Sequence, residues 1–134
     1  VMPIENELII SESDYEKLSR LIKVSRSEAT VALDAELLKA DICPDALMPV
    51  DVVSLYSKTH FKDVKTGAKR VVTIVMPWES SITEMRISIL SPVGIALIGA
   101  RVGAIIDWPL LNSSSVSLKI EKVLRAVPKE LSNA

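Results

Sequence analysis

The side chains able to do chemistry are few, and their spacing suits little of it. Cys43 is the sole cysteine and His60 the sole histidine in 134 residues. A metal or nucleophile–base pair made from them would require the fold to bring two unrelated segments together. Beside Pro44, Cys43 reads as a small loop or buried residue, and a single thiol excludes an internal disulfide framework and suits a reducing compartment. Gly94 and Gly99 have the spacing of a Walker loop, but Ala100 and Arg101 stand where lysine and a hydroxyl would meet phosphate and magnesium. The G-x-G-x-x-G spacing of a dinucleotide site does not occur either. These glycines are therefore turns and helix stops, and no catalytic, cofactor-binding or metal-binding residue is assigned.

Composition narrows the classes further. Sixteen basic and 17 acidic residues leave a net charge of −1, which gives no global footprint for nucleic acid or an anionic membrane. Any nucleic-acid contact has to be local. No apolar run reaches the roughly 18 to 20 residues that span a bilayer, and the acidic N-terminal segment lacks the basic region of a signal peptide. A cytoplasmic protein without membrane association is expected. The length suits one domain, or one small domain with an appendage.

The positioning elements follow from periodicity. Ser13-Asp14-Tyr15-Glu16 has the form of a capping box, so a helix is expected from about Asp14, with Tyr15, Leu18, Leu21 and Ile22 at helical spacing. Ser27 caps a second helix whose stripe is Ala29, Leu33, Leu37 and Ala40, with Val31 and Leu38 flanking it. A connection of a few residues makes the two an antiparallel hairpin. Pro44 and Pro49 mark a boundary, beyond which the period changes to two. Val50, Val52, Val53, Leu55 and Tyr56 read as a strand, 58–64 as another and 70–76 as a β-branched third, with a Gly67 turn between the last two. The 86–108 segment, RISILSPVGIALIGARVGAIIDW, reads strand, short helix, strand, with Ser91 as N-cap, Pro92 at the first helical position and Gly99 as stop. Val116, Leu118, Ile120 and Val123 carry a last strand, with a loop at 112–115 before it and a frayed tail after Pro128. The fold class is α+β, with a sheet of about five strands, rich in antiparallel pairs, and one short helix.

Three segments resemble a known family. Leu33-Asp34-Ala35-Glu36-Leu37 with Ala40, then Met48-Pro49-Val50-Asp51-Val52-Val53 leading to Phe61, then Ser91-Pro92-Val93-Gly94 with Ala96-Leu97 and Gly99-Ala100-Arg101-Val102-Gly103 are similar to the Rnk family. These are the regulators of nucleoside diphosphate kinase, a branch of the GreA/GreB transcription elongation factors. The resemblance implies a short helical hairpin over 1–45 and an FKBP-like, GreA/GreB C-terminal-like domain over 46–134. It also implies binding to RNA polymerase core near the secondary channel, with nucleic acid met only through the polymerase.

Departures from the family shape the expected mechanism. Gre factors project a long coiled coil whose tip presents acidic residues that help hold a catalytic magnesium, a hard ion that takes oxygen ligands. Here the hairpin is short and its tip offers Lys23, Arg26 and only Glu28. Asp14 and Glu16 lie at the other end of the first helix, and Asp34 and Glu36 lie along the second, where all four read as a solvated face with capping roles. Transcript-cleavage stimulation is therefore not expected; a cleavage-type factor and an interaction module unrelated to polymerase are the alternatives. Ala104 stands where the family usually has an acidic residue. Pro92, Val93, Ile95, Ile98 and Arg101 are the polymerase-binding candidates, although Ile95, Leu97 and Ile98 fit core and partner surface equally. Lys58, His60, Lys62, Lys65, Lys69 and Arg70 form a locally basic hairpin able to contact phosphates or an acidic surface. Protection of a solvated edge strand is its preferred reading. A prolyl isomerase site would need an aromatic-lined pocket, for which only Tyr15, Tyr56, Phe61, Trp78 and Trp108 are available, the two tryptophans reading as core or rim.

Overall fold

A computed structural model describes residues 8–109 and 115–125. Strand β1 (Ile9–Ser11) runs into helix α1 (Glu12–Val24), and α2 (Glu28–Lys39) returns to β2 (Asp41–Cys43), which pairs with β1 in parallel. This small sheet clamps the two ends of the hairpin together. Ser11, not Ser13, is the N-cap of α1: its Oγ accepts from Asp14 N at 3.1 Å, while Ser13 N donates to Asp45 Oδ1 at 3.0 Å. The helix starts earlier than its sequence signal because the extended Ser11, fixed by the β1–β2 pairing, already has cap geometry. At α2 the expected Ser27 cap is present, with Thr30 completing a reciprocal capping box.

Val50, Val52, Val53, Leu55 and Tyr56 do not form a strand, contrary to their pattern. Their backbone partners are scattered: Val53 N donates to Ala100 O at 2.8 Å, Val102 N to Asp51 O at 2.9 Å, and Leu55 N to the Asp14 carboxylate at 3.0 Å. Only a single bridge, Val52 to Arg101, survives of a ladder. Tyr56, at φ +71°, turns the chain out of extended geometry altogether.

The main sheet contains β3 (Lys58–Asp63), β4 (Lys69–Val75), β5 (Arg86–Ser88), β6 (Ile105–Pro109) and β7 (Ser115–Leu124) in the order β5-β4-β3-β7-β6. Its pairs are antiparallel except β4 with β5. The Gly67 turn joins β3 and β4, with Asp63 Oδ1 accepting from Lys65 N at 2.8 Å and Thr66 N at 3.1 Å. A bulge opposite His60 and Phe61 shifts the β7 register, so the buried alternation of Leu118 and Ile120 resumes at Val123 rather than at Lys122. The expected 112–114 loop and the tail after Pro128 lie outside the described residues.

Helix α3 (Pro92–Leu97) is capped by Ser91, whose Oγ accepts from Gly94 N at 3.1 Å. Gly94 packs against β5 so closely that a Cβ there would lie 2.5 Å from Ser88 O. The core joins Leu18, Leu21, Leu33 and Leu37 of the hairpin to Ile74, Ile89, Leu97 and Ile120 of the sheet and α3. The hairpin is thus seated on the sheet layer through one stripe of leucines.

Candidate functional site

The sites expected from sequence fall at the hairpin tip, around α3 and on the sheet. At the tip, Lys23, Arg26 and Glu28 are all exposed, and Glu28 is its only carboxylate. Helices of 13 and 12 residues at about 1.5 Å per residue make arms of roughly 20 and 18 Å. Glu16 pairs loosely with Arg20 and Glu36 with Lys39, one helical turn along each exposed helix.

At the other end of the hairpin the chemistry is different. Asp14, expected on a solvated face, is 8% exposed, and its Oδ2 accepts from Leu55 N. Burial raises its carboxyl above the ordinary value; the Leu55 N–H and Lys17 oppose that shift and Asp45 adds to it. Asp45 moves the other way, held down by its hydrogen bonds from Ser13. Ser11, Asp14, Asp45, Ser54 and Arg125 line a small polar cleft at this joint. Arg125 Nη1 donates to Met48 O at 3.4 Å across it. The sequence gives no sign of this, because Asp14's partner lies 41 residues away.

Around α3 the expected polymerase-binding residues separate. Pro92 is exposed, while Val93 and Ile95 are half-buried, each packed on one side against the core. Ile98, in contrast, is 1% exposed and belongs to the core, because the chain turns inward after Leu97 to reach Gly99. Its place in the binding set is corrected accordingly. Gly99, at φ +82°, accepts from Ile9 N and donates to Val53 O, fastening β1 to the 50–56 segment. Arg101 Nη2 contacts Asp51 Oδ1 at 3.1 Å and Oδ2 at 3.4 Å. Two segments that resembled the family, 48–53 and 99–103, are therefore held against each other by a charge pair beside the Val52–Arg101 bridge.

Aromatic residues do not gather into a proline-binding pocket among the described side chains. Phe61 is in the core and Tyr15 is partly exposed. Trp78 is 73% exposed, neither core nor rim of a closed pocket, and shares an open groove with Tyr56, Met76, Leu21 and Val24. The Tyr56 hydroxyl donates to Glu79 Oε1 at 2.6 Å, and burial together with that carboxylate drives its pKa well up. The basic residues Lys58, Lys62, Lys65, Lys69 and Arg70 all lie on β3, β4 and their turn, but β3 is the middle strand of its sheet. On β3 there is no edge for lysines to protect, whereas the 69–72 half of β4 lies beyond its pairing with β5, so Lys69 and Arg70 stand on an open edge as that reading expects. Among the described residues, no three of His, Cys, Asp and Glu gather as a metal set, and no helix is long and apolar enough to cross a membrane.

A short helical hairpin seated on this mixed five-stranded sheet, with a Ser-Pro-Val-Gly helix start at the seam, defines a class. The chain belongs to the GreA/GreB transcription elongation factor family: the profile described as "Transcription elongation factor, GreA/GreB, C-term" matches residues 48–125. Within that family it stands with the regulators of nucleoside diphosphate kinase, being 34% identical to the Escherichia coli K12 protein of that name over 84% of this chain and 85% of the relative. The transcription inhibitor protein Gfh1 of Thermus aquaticus is 33% identical over 78% of this chain and 69% of its own length. Among solved structures, a GreA/GreB elongation factor from Nitrosomonas europaea superposes with a TM-score of 0.75 at 29% identity, covering 89% of this chain and 98% of that one.

Proposed function

We propose that this protein is a non-enzymatic, cytoplasmic regulator that binds RNA polymerase core at or near the secondary channel and does not stimulate transcript cleavage. The observation that carries this reading is the hairpin tip, where Lys23 and Arg26 accompany a single carboxylate, Glu28, on arms of only 13 and 12 residues. A single carboxylate beside two cations, on a short arm, lacks the acidic pair by which a hairpin tip helps hold a magnesium ion. The contact surface is assigned to Pro92, Val93 and Ile95, whose outer face is the exposed part of the seam, with Arg101 and Asp51 bracing the adjoining loop. The similarity to a protein named as a transcription inhibitor supports a factor that occupies polymerase without assisting it. On this reading the protein competes with other secondary-channel factors.

The test is retention of the tagged protein on RNA polymerase core, alone and with a GreA competitor, alongside cleavage of the transcript in backtracked complexes. Retention lost to the competitor, with no added cleavage, is the expected result. Val93→Asp and Ile95→Asp should abolish retention while leaving the circular dichroism spectrum unchanged. Cleavage above background would overturn the tip argument, and retention undiminished by both substitutions would overturn the contact surface.

A further inference from the structure

The strand register gives the lysines a role that their sequence positions conceal. On the solvent face of the sheet, Lys62 stands directly between Lys69 of β4 and Lys119 of β7. On the next rung of the same face, His60 lies beside Lys122, and one rung further stands Lys58. With strands about 4.8 Å apart, Lys69, Lys62 and Lys119 form one row of ammonium groups across the sheet, and Lys122 and Lys58 continue the basic face on the rungs beyond, which they share with Val71, Thr73 and Leu124. Like charges directly opposite one another destabilise a sheet, so a row of three lysines is costly to folding. Its centre holds one carboxylate: Glu121, set out of the alternation by the bulge, reaches Lys62 at 3.5 Å and Lys69 at 3.8 Å. Asp107, further out on β6, accepts from the Ser117 hydroxyl at 2.7 Å. Lys119 and Lys122 are exposed to solvent.

We propose that this face of β4, β3 and β7 binds the phosphate backbone of duplex DNA directly and without reading its sequence. Lysine is depleted in the cores of protein–protein interfaces, and a protein partner would want an apolar or aromatic anchor at the centre. The centre of this face has lysines instead, and its exposed apolar side chains, Val71, Ile105 and Leu124, stand singly around them rather than as one anchor. Binders of single strands combine cationic grooves with aromatic stacking platforms, and the one aromatic of these three strands, Phe61, points into the core. Ammonium groups on a flat sheet face, with no element to enter a groove, meet the phosphates that line the outside of a duplex, and phosphate contacts carry no sequence information. The face therefore fits closely spaced phosphates on a stiff helix, and it is separate from the surface proposed for polymerase.

The experiment uses the full chain, no polymerase, and a fluorescein-labelled duplex of about 20 base pairs, followed by anisotropy between about 50 and 200 mM salt. The K62Q/K119Q/K122Q variant should bind at least tenfold more weakly, with a salt slope lower by roughly 2 to 3, at about 0.9 for each phosphate no longer neutralised. The matching triple arginine variant should bind like the parent, and Glu121→Gln should tighten binding severalfold by removing the competing carboxylate. No duplex binding at the lowest salt, or parental affinity in a folded triple glutamine variant, would overturn the proposal. So would equal affinity for a single strand of the same length, or tighter binding of a polyglutamate peptide, which would assign the face to an acidic protein.

Discussion

Along α2, Val31 and Leu38 are 60% and 79% exposed, whereas along 89–98, around α3, Ile89, Leu97 and Ile98 are at 1% or less. The two regions have similar apolar side chains and treat them oppositely. The hairpin meets the body through the single stripe of Leu18, Leu21, Leu33 and Leu37, so its remaining apolar residues face water. Helix α3 is enclosed between α2, β5 and β6, with Pro92 exposed and Val93, Ile95 and Ala96 half-buried. Apolarity in a segment therefore says little about exposure until the number of covering layers is known.

Substitutions can break this contrast, and the largest effect is expected at Ile98. Ile98→Asp places a carboxylate in the core and should cost about 4 kcal/mol or more, enough to unfold a domain of this size, seen as loss of the cooperative thermal transition. Gly94→Ala should cost about 1–3 kcal/mol in urea unfolding, because its methyl group would press on Ser88 O, a backbone atom with little room to move. If it were neutral, the close seating of α3 on β5 would be wrong.

Asp14 sharpens the comparison at the hairpin's base. Asp14→Ala leaves the buried Leu55 N–H without its acceptor and should cost about 1–3 kcal/mol, whereas Asp14→Asn keeps an acceptor and removes a buried charge. Because burial raises this carboxyl above its ordinary 3.8, the folded state binds more protons than the unfolded state just above that pH. Stability from this site therefore falls as pH rises through that window. The advantage of the asparagine variant over the parent should accordingly grow from about pH 4 towards neutrality, as urea midpoints at several pH values would show. The smallest effect is expected on the outer hairpin: Leu38→Lys should change stability by no more than about 0.5 kcal/mol, since no covering layer is disturbed. A larger loss would mean that this face is covered in solution.

Much of the fold was legible because it rests on short-range rules. The Ser27 and Ser91 caps, the Gly67 turn, β3 and β4 and the α3 unit are each specified within about a dozen residues, and all stand where the patterns put them. The Val50–Tyr56 pattern failed because its hydrogen-bond partners are Ala100 and Asp14, both far along the chain, and period two shows only that alternate residues are buried. The site was legible in part. The tip residues and the exposed start of α3 were readable, while the burial of Ile98 and Asp14 was not, since each depends on a layer contributed by another segment.

By itself the sequence determined the local elements, the family motifs and the absence of a carboxylate pair at the hairpin tip, because caps, turns and the identity of tip residues are properties of neighbours along the chain. Only the tertiary structure decided that β3 is central, that its lysines line up with Lys119 and Lys122, and that Arg101 braces Asp51. Strand order and register are set by which distant segments share one core, and no local pattern carries that information.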